Sequence, residues 1–473
     1  MNKYKKLISN SIIFTIGSFG SQLISFLMVP LYTHLLTTSQ YGTVDLFNIT
    51  ISLLIPLVTL ELGQAALRFS IETTDIVIHD KIFSNISRHA LIVTIISILL
   101  FPILNYLNIF ENYLLMFLLL FVLKIHNSLY SQYIRGIGLI KEFAINGILM
   151  TIVTVFSNLV LLVVFNFRVE GYMLSLIIAT LSSNIYLFFV SNGNLRIERY
   201  SPDNQLLKGM LTYSVPMIPN SAMWWLINSS TRYFILFFVG TAGNGIYAVA
   251  NKIPAIITMV TGIFSQAWQL SSFEEYDSES KSEFYTKVFN IYVTFLFVAG
   301  SGILIFIKPL LAMLVADSFF DSWQVAPLLI LAVIYQSLSG FLGTTYTAAK
   351  ETKGTFTTSV FAGLISLILS FIFIPLWGLI GAALSSAISF FAMFIIRLID
   401  TRKFVAIRTN LVTLTLTNVV FMLQIFCLFF FNSIVLLVIE TFFFTFLLLI
   451  NKDTFLSIVF ISIRYIKSFV NKN

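Results

Sequence analysis

The chain has 473 residues, of which 58% are hydrophobic and only 10% charged, with a net charge of +7. This composition excludes a water-soluble globular domain, and the intervals between its apolar runs are too short to bury a core of their own. One cysteine, Cys427, excludes an intrachain disulfide and a cysteine-rich metal site.

Apolar runs long enough to cross about 30 Å of hydrocarbon recur along the whole sequence. They are continuous rather than alternating, so the expected fold class is an all-α polytopic membrane protein with about fourteen transmembrane helices. The first run, 11–36, follows Lys3, Lys5 and Lys6, as a signal peptide would. It is too long for the apolar core of one and lacks a small-residue cleavage site, so it is expected to stay as the first helix. Further spans are expected at 44–69, 89–109, 113–134, 143–166, 171–191, 208–239, 243–271, 286–307, 325–348, 355–376, 378–396, 409–431 and 432–450. Twenty-two of the lysines and arginines fall in the segments and span edges on the side of the N-terminus, against only Arg168 and Lys308 on the other. Cytoplasmic loops carry the positive charge, so both termini are expected inside. The basic balance is therefore topology, and no nucleic-acid partner is implied.

The sequence repeats itself at an offset of about 200 residues. The stretch 34–42, ending Gln40-Tyr41-Gly42, leads into the second span, and 238–245, ending Asn244-Gly245, leads into the eighth. Gly63-Gln64-Ala65 is matched by Ser265-Gln266-Ala267, Asn127-Ser128-Leu129 by Gln336-Ser337-Leu338, and Gly171-Tyr172 by Gly381-Ala382. The duplication predicts an N-terminal six-helix lobe at 1–192, a cytoplasmic linker at 193–207 and a C-terminal six-helix lobe at 208–400. Two additional helices at 401–453 and an amphipathic cytoplasmic tail at 454–473 follow. An even number of spans per half predicts lobes related by a pseudo-two-fold axis along the membrane normal, with substrate taken up at their interface.

Several segments carry a family resemblance. These are Gly17-Ser18-Phe19-Gly20-Ser21-Gln22 with Pro30-Leu31-Tyr32-Thr33; 38–47, which includes Ser39-Gln40-Tyr41-Gly42; Ser214-Val215-Pro216-Met217-Ile218-Pro219; and Ala248-Val249-Ala250-Asn251-Lys252. With six plus six helices and two more at the C-terminus, the chain resembles the multidrug/oligosaccharidyl-lipid/polysaccharide exporter superfamily. Within it, the chain is similar to the Wzx-type flippases of O-antigen and capsule pathways. The resemblance implies V-shaped bundles in a bacterial cytoplasmic membrane that move undecaprenyl-pyrophosphate-linked oligosaccharide repeat units to the outer leaflet by alternating access. It also implies a lipid-linked oligosaccharide substrate and, as partners, membrane lipids and the polymerase and chain-length regulators of the same pathway. No cofactor, metal or catalytic residue is implied, and the chain is not expected to be an enzyme.

Charges inside spans are costly and mark candidate function. A pyrophosphate cannot cross hydrocarbon bare, because desolvating it costs tens of kcal/mol by Born estimates. Arg232, Lys252, Arg68 and Lys124 are the candidate phosphate ligands, arginine as a planar fork and lysine as a point charge. Asn228, Gln22 and Gln266, with Trp224 and Trp225, are candidate sugar contacts. Glu61 is the candidate coupling group, on one helical face with Gln64 and Arg68 at i, i+3 and i+7. Ser214, Ser221, Asn228 and Arg232 make a second stripe. Blander readings stand beside these. Arg68 snorkels from a helix end, Lys124 pairs with Glu61, Arg232 and Lys252 reach the outer headgroups, Glu440 makes a helix–helix contact, and His126 is a satisfied core histidine. The competing functions are a cation-coupled drug antiporter of the same superfamily, a peptidoglycan-precursor flippase and a membrane polymerase or ligase. The antiporter needs an excess of embedded carboxylates over cations, and the enzyme needs reactive groups on long outer loops. Neither pattern is present in the sequence.

Overall fold

The computed structural model describes residues 23–107, 110–192, 203–349 and 351–456, and among them every regular element is helical. The chain divides into two compact units, Met1–Ser229 and Ser230–Asn473. The first holds α1 (Val29–Leu35), α2 (Thr38–Thr59), α3 (Leu62–Ile71), α4 (Ile76–Tyr106), α5 (Leu114–Gly136), α6 (Ile140–Asn158), α7 (Arg168–Asn192), α8 (Asn204–Ser214) and α9 (Ile218–Ser229). The second holds α10 (Thr231–Phe238), α11 (Thr241–Ala250), α12 (Lys252–Glu274), α13 (Lys281–Leu314), α14 (Ser322–Ala348), α15 (Thr352–Asp400), α16 (Leu411–Phe430) and α17 (Ser433–Ile450). Among the described residues ten helices are long and apolar enough to cross a bilayer, and two shorter apolar ones, Leu23–Leu35 and Ile434–Ile450, accompany them. The chain is a multi-pass helical membrane protein.

Local sequence explains where the helices start and stop. Helix α2 opens on a capping box: Thr37 Oγ1 accepts from Gln40 N at 3.2 Å, and Gln40 Oε1 accepts from Thr37 N at 3.0 Å. Two otherwise orphaned amide groups are satisfied, which stabilises the start of α2 by about 1 kcal/mol. Helix α2 ends early because Pro56 lies inside it and Leu60 and Glu61 both adopt left-handed backbone, with φ of 51° and 55°. The expected continuous span 44–69 is therefore two helices, α2 and α3. The expected span 208–239 is likewise broken, since Pro216 forces a 3₁₀ turn at Val215–Met217 and Ser230 separates α9 from α10.

Helix α15 is the opposite case. As one straight rod its 49 residues would measure about 74 Å, more than twice the hydrocarbon thickness. Gly378 interrupts it at φ 55° and ψ −130°, a conformation a side chain would rarely allow. A Cβ on Gly381 would fall 2.0 Å from Phe373 O, so the chain folds back on itself there. The two limbs correspond to the expected spans 355–376 and 378–396.

Helices in lipid gain little from hydrophobic burial, so small residues and polar contacts hold them. In the first unit α3 packs on α5 so closely that a Cβ on Gly136 would lie 2.8 Å from Ser70 Cβ. A polar chain ties α5, α6 and α7 together. Asn127 Nδ2 donates to Ser183 Oγ (2.6 Å) and Asn184 Oδ1 (3.1 Å), while Ser183 Oγ donates to Asn146 Oδ1 (2.6 Å). In the second unit α13 supports α14 and α16 at Gly300, which sits against Ile334, Phe421 and Ile330.

Candidate functional site

Glu61 does not share a helical face with Gln64 and Arg68 as expected. It is the left-handed residue before α3, so only Gln64 and Arg68, at i and i+4, ride on that helix together. The Glu61 carboxylate is instead anchored to α9, where it accepts from Ser221 Oγ. Trp225, one turn further along α9, donates from Nε1 to Ile49 O of α2 at 3.0 Å. These two contacts fix α9 against the broken span. Arg68 is exposed and pairs with Glu72 at 2.8 Å across one turn, the arrangement expected of an arginine at a helix end.

Lys124 lies in α5, half-buried, with residues of the first unit's apolar core on either side of it in sequence. No ion pair joins it to Glu61, and no hydrogen bond to its ammonium occurs among the described residues. His126, two residues on, is satisfied: Nε2 lies 3.2 Å from Thr94 Oγ1 and Nδ1 3.2 Å from Tyr130 Oη. Asn228 is exposed, and its amide donates to Trp224 O at 2.9 Å. Gln22 and residues 457–473 of the amphipathic tail lie outside the described residues.

His89 was not singled out by sequence reasoning. The break at Leu60 leaves the last carbonyls of α2 without intrahelical donors, and His89 Nε2 lies 2.8 Å from Val58 O. A histidine 31 residues from a proline-broken helix end carries no sequence signal for that role. Asp203 is a further anchor. It caps α8 through Gln205 N and Leu206 N, both at 3.0 Å, and accepts from Lys81 Nζ at 3.0 Å. The Leu206 amide and then the Lys81 ammonium hold its carboxyl below the usual range.

In the second unit Arg232, on α10, places its guanidinium 5.4 Å from the ring centroid of Tyr247 on α11. Lys252 is the first residue of α12, just past the interruption at Asn251, and is half-buried like Arg232. Neither side chain is among the exposed ones. Gln266, on α12, is exposed. The expected stripe from Ser214 to Arg232 is split across α8, α9 and α10, with Arg232 in the second unit and the other three residues in the first.

Arg397, which lies one residue past the expected span 378–396 and counts among the edge cations on the cytoplasmic side, is instead 1% exposed. Its Nε donates to Thr358 Oγ1 (2.9 Å), Nη1 to Ser339 O (2.8 Å), and Nη2 to Ser359 Oγ (3.0 Å) and Thr355 O (3.3 Å). Its neighbour Asp400 accepts from Tyr346 Oη at 2.8 Å and Lys403 Nζ at 2.9 Å. With four of its five N–H donors engaged, this guanidinium ties both ends of α15 to α14 and is committed to the scaffold.

The sequence profile of a family described as polysaccharide biosynthesis protein matches residues 7–269. The chain belongs to that family. No curated protein matches it in sequence. Among solved structures this family member is similar to the lipid II flippase MurJ in an inward closed conformation, with a TM-score of 0.69 at 14% identity, covering 97% of this chain and 100% of that one. It is also similar to a multidrug resistance MATE family transporter of the MOP superfamily. The inward-facing form gives a TM-score of 0.66 at 13% identity, covering 81% and 95% of the two chains. The outward-facing form gives 0.58 at 15%, covering 84% and 94%. At these identities the likeness is one of fold, shared with MurJ and the MATE transporter.

Proposed function

We propose that this polysaccharide biosynthesis protein is a flippase. It moves undecaprenyl-pyrophosphate-linked oligosaccharide repeat units from the cytoplasmic to the outer leaflet of a bacterial cytoplasmic membrane, with both termini cytoplasmic. The observation that carries this reading is Lys124, a half-buried ammonium on an apolar helix with no ion pair or hydrogen bond among the described residues. A cation kept in lipid at such cost and given no internal partner is matched to an anion that comes and goes. Arg232 and Lys252 add two half-buried cations in the second unit, and Arg68 a third at a helix end. Asn228, Gln266 and Gln22 supply amides for hydroxyl groups. The family description and the likeness to a lipid II flippase support the same class of cargo. With the inside negative, outward movement of an anionic headgroup is favoured by about 2.3 kcal/mol per charge per 100 mV. Glu61, held on Ser221, is the candidate for coupling to a proton.

The test is a leaflet assay on full-length protein in liposomes, with a labelled polyprenyl-pyrophosphate oligosaccharide. Protein-dependent crossing of the headgroup is expected, slowed at least tenfold in Lys124→Met and Arg232→Ala. Crossing that is unaffected by Lys124→Met, or efflux of organic cations in place of headgroup crossing, would overturn the proposal. A second arm with a peptidoglycan precursor separates the two lipid-linked sugars. Glu61→Gln is expected to flatten the pH dependence of crossing.

A further inference from the structure

Glu440 belongs to the last helix pair, outside both repeats, and the transport reading does not use it. It sits two turns into α17 and is 0% exposed. Both of its carboxyl oxygens are buried without a hydrogen-bond partner. The nearest amide, Gln424 of α16, is committed elsewhere. Its Oε1 accepts from Ser301 Oγ at 2.7 Å, and its Nε2 is directed at Ser301 O (3.3 Å) and at the backbone carbonyl of Glu440 (3.5 Å).

Three helices surround this carboxyl, and few groups on them carry charge. Glu440 is the only titratable residue of α17, and Cys427, which senses the carboxyl electrostatically, is the only one of α16. From α13 the one charge acting on it is Lys308. That ammonium makes no ion pair with Glu440. It is held at the end of the pair on Asn432 Oδ1 (2.8 Å) and Phe431 O (3.3 Å), and it lies 4.1 Å from the ring centroid of Trp323. A carboxylate with no donor within hydrogen-bond distance, its nearest cation held on other acceptors and no exposed surface would bear much of the desolvation penalty of a buried charge. A carboxylic acid in the same place bears only that of a neutral polar group.

We propose that Glu440 is a proton-binding site: it is held as the neutral acid while α16 and α17 are docked on α13, and release of its proton to water loosens that docking. The site makes the last helix pair sensitive to pH independently of whether the protein flips a lipid. The sign follows from linkage. The folded state keeps a proton that the unfolded chain loses near pH 4, so wild-type stability falls as pH rises above that range, relative to a variant that cannot ionise.

The experiment compares full-length wild type and Glu440→Gln in detergent or lipid from about pH 5 to about pH 9. The two are expected to melt together at the acid end, with E440Q gaining at least about 2 °C in Tm over the wild type toward the alkaline end. A constant difference, or a loss of stability in E440Q across the range, would overturn the proposal. A second measurement reads the proton directly. The C=O stretch of a protonated carboxyl, present in the infrared spectrum of the wild type and absent from that of E440Q, is expected at neutral pH and should fade as pH rises. Its absence down to about pH 5 would equally overturn the proposal.

Discussion

Arg397 and Lys124 are both basic residues withdrawn from water on membrane-spanning helices, and the protein treats them in opposite ways. Arg397 is surrounded by four acceptors drawn from α14 and the start of α15. Lys124 has no such acceptors among the described residues. A guanidinium with its donors filled is part of the scaffold, because removing it leaves carbonyls and hydroxyls buried without donors. An ammonium with none filled has no internal hydrogen bond to lose and is embedded at a cost. Burial alone does not tell the two apart. The state of their hydrogen bonds separates a scaffold charge from a candidate for binding.

The contrast can be broken or sharpened by mutation. The largest expected effect is that of Arg397→Leu, which should lower stability by about 3–5 kcal/mol through the orphaned acceptors, measured by thermal or denaturant unfolding in detergent. Retained stability in that variant would put Arg397 in the same class as Lys124. Next is Gly343→Ala, whose new Cβ would lie 2.8 Å from Arg397 Nη1. It should cost about 1–3 kcal/mol by the same measurement, by pushing the guanidinium off Ser339 O. Lys124→Met should change stability by less than about 1 kcal/mol while abolishing headgroup crossing in liposomes. A destabilised Lys124→Met would reveal a structural role. The smallest effect is expected at Asp203. Its depressed carboxyl contributes stability that is present above the usual aspartate range and lost as pH falls through it, so Asp203→Asn should remove part of the acid sensitivity of unfolding.

Much of the fold was legible in the sequence. The number and rough position of the spans follow from continuous apolar runs, because only helices satisfy their backbone in lipid. The capping box at Thr37 and Gln40, and the reversal at Gly378 between two spans, are local chemistry that a sequence displays. The breaks were less legible. Pro56 was passed over in the expected span 44–69, and the left-handed pair Leu60 and Glu61 are residues with no preference for that backbone, held there by contacts such as Glu61 with Ser221 and Val58 with His89. As a result the face joining Glu61, Gln64 and Arg68, sound for a continuous helix, does not exist. The candidate cations were visible in the sequence, since charge inside an apolar run shows by inspection. It placed Arg397 at a solvated edge because the serines and threonines that enclose it are 38–58 residues away.

The sequence by itself determined that the chain is a helical membrane protein with embedded cations, since hydrophobic run length and the cost of charge in lipid act residue by residue. Which of those charges are bonded internally depends on how the helices pack. Hydrogen-bond partners in a bundle come from helices far apart in sequence, and a charge's role is fixed by whether those partners arrive. Glu440 and Arg397 reach their opposite conditions, one with no donor and the other with every near acceptor, through packing that no local pattern encodes.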